Sequence, residues 1–144
     1  MWIIFALGAS VLWGLTYALN EQVYKKISVS TSLAIVSLAV FVLTLFLSYS
    51  SSNLKADLTA IAGSKRLLFF VISGILTVTG AELLIASAIK ANSATLAGLV
   101  EISYPIFIAI FSYVLFKESE LTVSTIVGGI FIFIGLFIIS FFNK

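Results

Sequence analysis

Apolar residues form five long runs along the chain, separated by polar connections. A helix needs about 20 predominantly apolar residues to cross a bilayer core of about 30 Å. The runs predict five transmembrane helices, at about residues 2–20, 29–50, 67–89, 94–116 and 122–142. The alternating period of an outer-membrane barrel is absent. We therefore predict an all-α, polytopic membrane protein with a single transmembrane domain over residues 1–144.

Composition supports this prediction and excludes several functions. The chain is 61% hydrophobic and 10% charged, whereas soluble domains are about 45–50% apolar and 25% charged. It has no cysteine and no histidine, which excludes disulfides, thiolate chemistry and histidine metal sites. We find no phosphate-binding glycine loop and no nucleophile with a base. We therefore expect that the protein is not an enzyme and that it needs no metal or cofactor.

The charged residues and the first segment indicate where the protein resides. Its 8 basic and 6 acidic residues are scattered between apolar runs, so nucleic acid is not an expected partner. The first 20 residues lack the cationic start and small-residue cleavage site of a secretory signal. We interpret them as a retained span, embedded in the lipid of the cell (inner) membrane.

The orientation of the chain is not decided by its positive charges. Five spans place the termini on opposite sides, and cytoplasmic connections normally carry more Lys and Arg. Each side here carries four such residues: Lys55, Lys65, Arg66 and Lys117 on the N-terminal side, and Lys25, Lys26, Lys90 and Lys144 on the other. Either a partner or the folding order sets the orientation, or molecules insert both ways and pair antiparallel.

Polar and aromatic residues form a stripe on the first predicted helix. Ser10, Trp13, Tyr17 and Asn20 follow each other at steps of three and four, which places them on one helix face. The stripe favours the interpretation that this helix face forms one wall of a polar cavity. The alternative is that its aromatic residues anchor the helix at the membrane–water interface.

Small residues on the last predicted helix favour close helix packing. Gly128 and Gly135 are seven residues apart and share one face. They indicate a contact either within the subunit or between two subunits.

Two acids lie inside predicted spans, Glu82 in the third and Glu101 in the fourth. The hairpin between these spans is tight, so the two helices are expected to be antiparallel neighbours. Glu82 precedes Lys90 by eight residues and Glu101 follows Ser93 by eight, so each lies about 12 Å from the turn. An acid at the centre of a span costs about 2.5–3.5 kcal/mol. Our hypothesis is that both bind an ion or change protonation during transport; snorkelling, or pairing of Glu82 with Lys90, is the structural alternative.

Pro105, the only proline, explains the position of Glu101. Its ring removes the amide that would bond the carbonyl of Glu101, four residues earlier. A freed carbonyl and a carboxylate beside Tyr104 favour a site for a cation, a proton or the amine end of a substrate. The alternative is that Pro105 only kinks the helix to fit the bundle.

The sequence from about Gly74 onward resembles one repeat of the EamA family in the drug/metabolite transporter superfamily. The resemblance is carried by the small-residue hairpin, Pro105, Glu118 and the glycines of the last helix, in "AIKANSATLAGLVEISYPIFIAIFSYVLFKESELTVSTIVGGIFIFIG". In the first span, "LWGLTYALN", with Trp13 and Gly14, is similar to the family's opening helix. The resemblance implies a five-helix half of an inverted-repeat, ten-helix transporter of small metabolites, amino acids or drugs.

The chain departs from that family in two respects. It holds one repeat, which implies a homodimer or a heterodimer with a sister half, and Glu101 stands where the family is expected to be apolar. The acid that small multidrug resistance proteins use in their first helix has no counterpart in residues 2–20. We therefore expect a secondary transporter of a small solute that works as an antiparallel homodimer, by alternating access with carboxylate-based proton or cation coupling. A non-transporting scaffold subunit is the alternative.

Overall fold

The computed structural model describes residues 1–118 and 122–142, which form helices joined by short turns. The helices are α1 (Trp2–Tyr24), α2 (Val29–Ser50), α3 (Leu54–Gly63), α4 (Lys65–Ala91), α5 (Ala94–Glu101), α6 (Tyr104–Phe111) and α7 (Val123–Phe142). A π-helical turn, Ser112–Phe116, continues α6. Lys144, which contributes to the balanced charge count, lies outside the described residues.

Four of the five predicted spans are confirmed as helical stretches long and apolar enough to cross a membrane. They are Trp2–Tyr24, Val29–Ser50, Lys65–Ala91 and Ala94–Phe116. The fifth predicted span contains α7, whose apolar part, Val123–Ile139, is shorter. Its crossing of the membrane stays a prediction.

Serine side chains fix where three helices begin. Ser28, Ser64 and Ser93 precede α2, α4 and α5, and their hydroxyls accept hydrogen bonds from backbone N–H groups three residues later, at 3.2, 3.3 and 3.2 Å. The first N–H groups of a helix have no partner within the helix, and serine is among the best residues to supply one. These caps begin each helix directly after a short connection.

Two helix boundaries differ from those expected from hydropathy alone. The first span was expected to end at about residue 20, but α1 continues for another turn to Tyr24, which brings Glu21 into the helix. The connection at residues 51–66 contains α3, an additional helix of 10 residues that packs against α4. Hydropathy missed α3 because a helix this short does not span a bilayer.

The fourth predicted span is broken in its middle rather than smoothly bent. Its first half, α5, ends at Glu101, and Pro105 stands in the first turn of α6. Proline has no N–H with which to continue the hydrogen bonds of α5. The Ile106 amide instead donates to the Ser103 carbonyl at 3.1 Å, so that a new helix starts.

The buried core lies at the end of the molecule that contains the α4–α5 hairpin. Tyr24, Ala86, Ile89, Ala94 and Ala97 are the buried apolar residues. They belong to the last turns of α1 and α4 and the first turns of α5. Most other large apolar side chains of the described residues are exposed, which leaves them available to lipid or to a partner subunit.

At the opposite end, aromatic rings connect the start of α4 to the end of the broken span. The rings of Phe70 and Phe116 meet edge to face, with centroids 5.8 Å apart. This contact and the hairpin place α4 antiparallel to the broken span.

The glycine of α7 that meets another helix is Gly129. A Cβ atom at Gly129 would lie 3.7 Å from the side chain of Ile106 in α6, whereas one at Gly128 or Gly135 would meet no atom within 4 Å. Gly128 and Gly135 were expected to pack within the subunit or between subunits. They have open space in the single chain, so a contact between subunits stays a prediction.

The cap at Ser64 supplies a test of this local account of the fold. Replacing Ser64 by alanine removes the acceptor of the Leu67 amide and is expected to lower the free energy of unfolding by about 1 kcal/mol. The matched control is Ser87→Ala, because the exposed Ser87 hydroxyl only bonds back to Leu83 of its own helix. Unfolding in dodecyl sulfate, followed by circular dichroism, compares the two variants. Equal stabilities would contradict the role of the cap.

Candidate functional site

The site is built where α1 and α5 pack closely together. The ring of Tyr17 lies against Gly98, where a Cβ atom would be 3.4 Å from the ring. Ala94 and Ala97, on the same stretch of α5, are buried. Small residues let two helices approach until their backbones nearly touch. The aromatic side chain of α1 can therefore contact α5 closely.

This close packing brings Tyr17 to Glu101. The Tyr17 hydroxyl donates a short hydrogen bond to Oε2 of Glu101, and both side chains are half-buried. Gly98 and Glu101 are three residues apart and so lie on the same face of α5. The ring that Gly98 accommodates thus carries its hydroxyl towards the carboxylate.

Glu82 of α4 is the second acid of the site. It is half-buried, and its carboxylate lies within electrostatic range of Glu101 and of the Tyr17 and Tyr24 hydroxyls. Tyr104, at the start of α6, lies near the Tyr17 phenol. We call Tyr17, Tyr24, Glu82, Glu101 and Tyr104 the acid–tyrosine cluster. It joins the three helical stretches α1, α4 and α5–α6.

The cluster offers two carboxylates to one small region of a membrane-spanning bundle. Two ionised carboxylates repel each other strongly where water is scarce. A proton or a cation between them relieves this repulsion, and the phenol hydroxyls supply hydrogen bonds. Over residues 1–118 and 122–142, no three His, Cys, Asp or Glu residues gather closely enough to hold a metal ion. The two carboxylates and the nearby phenols form a region that a proton or a cation can occupy.

The first helix of the broken span, α5, ends immediately after Glu101. The amides of Ile102 and Ser103 bond back to Gly98 and Val100, at 3.1 and 3.2 Å, and close the end of α5. The Ser103 hydroxyl donates to the Val100 carbonyl at 2.9 Å. Since Pro105 has no N–H for the Glu101 carbonyl, the break places a carboxylate and a free backbone oxygen on one residue. Such irregular backbone within a span normally lines a cavity or a protein contact.

Glu21 is a polar contact of this interface that hydropathy assigned to a connection. Its Oε2 accepts a hydrogen bond from the Ala94 amide at 2.8 Å, and its Oε1 lies 3.5 Å from Nζ of Lys25. A carboxylate is favourable at a helix N-terminus, where unpaired N–H groups point outward. Glu21 thus holds the start of α5 against α1. The available signal was its spacing of four from Tyr17, which puts both on one face.

The remaining residues of the polar stripe differ in their exposure and their contacts. Trp13 is about half exposed, and its ring meets that of Tyr17 edge to face at 5.6 Å. Asn20 is half-buried. Ser10 is exposed, and its hydroxyl donates to the Ala6 carbonyl of its own helix at 3.0 Å. The structure thus brings Trp13 next to Tyr17 and leaves Ser10 apart.

Comparison with known proteins gives one match. The family model of the EamA-like transporter family matches residues 1–141, which covers nearly the whole sequence. No curated protein and no solved structure matches the chain.

The contribution of the Tyr17–Glu101 bond can be measured directly. Tyr17→Phe keeps the ring on Gly98 and removes only the hydroxyl. Hydrogen bonds between membrane helices contribute about 0.6 kcal/mol on average and up to about 1.7 kcal/mol, so we expect a loss of about 1 kcal/mol in unfolding free energy. The control is Tyr49→Phe, because Tyr49 is exposed on α2.

A double-mutant cycle separates this bond from general effects. Combining Tyr17→Phe with Glu101→Ala, which removes the acceptor, should cost less than the sum of the two single changes. Strict additivity would show that the two side chains do not interact.

Proposed function

The chain belongs to the EamA-like transporter family, and from this premise we propose that it is a secondary transporter of a small metabolite or drug-like solute. It is an integral membrane protein, because its family and four long apolar helices agree on this. The proposal adds that protons or cations drive the transport through Glu82 and Glu101.

The observation that carries the proposal is the hydrogen bond between Tyr17 and Glu101, within electrostatic range of Glu82. Acids inside a membrane span are costly and are usually retained for ion or proton pathways. Here both acids share one region, and one of them, Glu101, accepts a hydrogen bond from a phenol hydroxyl. A proton or cation that reaches Glu101 competes with the Tyr17 hydroxyl for the same carboxylate. Occupancy of the site is thereby coupled to the contact between α1 and α5.

The break between α5 and α6 supplies the movement that such coupling needs. No continuous hydrogen-bond ladder crosses Ile102 and Ser103, so α6 can tilt relative to α5 at little cost. The hairpin end is held by the buried core, by Glu21 and by the Ser93 cap. In the proposed cycle, release of Tyr17 from Glu101 loosens the contact between α1 and α5. The access to the site then changes from one side of the membrane to the other.

A second subunit completes the proposed cavity. The members of the cluster are half-buried or exposed except for Tyr24, and Tyr104 is 56% exposed. A charged site left facing lipid would be unfavourable, so another protein surface has to cover it. An antiparallel copy of this chain does so and creates the inverted repeat typical of transporters. The exposed Gly128 and the half-exposed Gly135 are available for this contact.

The scaffold alternative assigns the two acids to a partner's buried cations. It predicts that neutralising Glu101 disrupts assembly, because the partner's charge loses its counterion. Transport predicts the opposite, namely an intact assembly with lost coupling. One substitution therefore distinguishes the two functions.

We expect Glu101→Gln to abolish current driven by a pH gradient in proteoliposomes. The probe is a panel of neutral amino acids, small amines and tetraphenylphosphonium, added under an imposed pH gradient and measured on solid-supported membranes. Glutamine keeps the size and the hydrogen bond from Tyr17 but cannot exchange a proton. Asp57→Asn is the matched control, because Asp57 is an exposed acid on α3 and should leave the current unchanged.

The size of the assembly is measured on the same samples by light scattering. An unchanged current in Glu101→Gln would refute carboxylate coupling. Loss of both current and assembly would instead favour the scaffold.

The antiparallel arrangement makes a separate prediction about insertion. A reporter fused after Lys144 should appear on both sides of the membrane in comparable amounts, because the Lys and Arg count is balanced. Removing one charge on either side should bias the orientation in opposite directions, as in Lys26→Gln and Lys65→Gln. If every molecule places the reporter on one side, the antiparallel homodimer is wrong and a heterodimer replaces it.

A further inference from the structure

Two adjoining cavities lie between the end of α2 and α3, away from the acid–tyrosine cluster. One has a volume of about 370 Å³ and the other of about 930 Å³. Both are lined by Phe46, Tyr49 and Leu54, so together they form one groove. We call it the α2–α3 groove.

The two parts of the α2–α3 groove differ in chemistry. The smaller part follows α2 towards the middle of the membrane, and its further lining residues are the apolar Val42 and Leu45. The larger part lies at the turn between the helices and adds hydroxyl groups and a cation, from Ser52, Thr59 and Lys55. The groove thus changes from apolar to polar and positive along its length.

The position of α3 places this change at the membrane surface. The helix has 10 residues. Three residues separate it from the end of α2, and Ser64 alone separates it from the start of α4. It is too short to span a bilayer and carries Lys55 and Asp57 among apolar residues. A short helix of mixed character at the end of a span lies at the interface between lipid tails and headgroups.

We propose that the α2–α3 groove binds an anionic phospholipid. One acyl chain lies along Val42, Leu45 and Phe46, and the phosphate meets the ammonium group of Lys55 near the hydroxyls of Ser52 and Thr59. A basic residue near the headgroups contributes about 1 kcal/mol to the binding of anionic lipid. Lys65 and Arg66, the first two residues of α4, add positive charge on the same side of the membrane.

Charge and shape together identify a phospholipid as the occupant. A free phosphate would leave the long apolar part of the groove empty, and a detergent-like apolar molecule would leave Lys55 unpaired. A phospholipid matches both parts of the groove at once. Its apolar tails and its charged phosphate follow each other in the same order as the apolar and the positive lining residues. The binding would also fix the angle between α2 and α3 at the start of α4.

The test uses the purified full chain in mild detergent, with phosphatidylglycerol or phosphatidylcholine of identical acyl chains added and bound lipid counted by native mass spectrometry. We expect wild-type protein to bind phosphatidylglycerol about fivefold more tightly than phosphatidylcholine, as one favourable charge predicts. Lys55→Gln should remove this preference. Lys26→Gln, which removes an exposed cation from the opposite side, should retain it.

A second variant fills part of the groove without changing its charge. Ala62 lines the larger part of the groove, so Ala62→Phe should fill it and weaken the binding of phosphatidylglycerol. Glycerol phosphate, which has the headgroup charge but no tails, should not displace the lipid. The proposal is overturned if both lipids bind equally, if Lys55→Gln keeps the preference, if Lys26→Gln loses it equally, if Ala62→Phe binds as well as wild type, or if glycerol phosphate competes.

Discussion

The close approach of α1 to α5 at Gly98 is the contact on which the candidate site depends. The Tyr17 ring lies against this small residue and its hydroxyl reaches Glu101. The Cβ atom of an alanine here would only touch the ring at 3.4 Å, whereas a larger side chain would push the ring away and leave a carboxylate in the membrane without its donor. The small residue serves to give space, because its backbone is ordinary helix. The polar chemistry of the site therefore follows from a packing constraint between two apolar helices.

The same interface explains why the two ends of the molecule differ. At the hairpin, Glu21 and Ser93 satisfy the first amides of α5, and small residues such as Ala94 and Ala97 are buried beside Tyr24. Past Glu101 the helix is interrupted, and the side chains of α6 and α7 are mostly exposed. The hairpin end is thus held together by contacts within the chain, whereas the side chains past Glu101 offer their surface to lipid or to another protein.

Membership of the EamA-like transporter family gives the chain a transport role without naming a solute or a driving ion. Our proposal of a proton or cation as the coupling species rests on the cluster, where two acids and several phenols share one region. Among the described residues, the ion pair that the structure shows is Lys25–Glu21, which involves neither acid of the cluster.

Sequence alone determined the class of the protein and the approximate position of its first four spans, since the number of consecutive apolar residues has to match the thickness of the bilayer. It also predicted that Glu82 and Glu101 lie at equal depth, because helical rise is regular and the hairpin is short. Pro105 signalled an irregularity, and Tyr17 was selected by its place on the stripe. These features depend only on neighbours along the chain.

Tertiary structure decided which of those residues meet. Ser10 and Tyr17 share a stripe, but only Tyr17 faces a glycine across the interface, and no local pattern in α1 contains that information. Glu21 was assigned to a connection because hydropathy ends a helix where charge begins, whereas the Ala94 amide across the interface stabilises one more turn. Gly129 rather than Gly128 meets α6 because the rotation of α7 is set by its neighbours. The sequence determined what each helix carries, and the packing of helices around small residues decided which side chains meet, because such contacts join positions far apart in the chain.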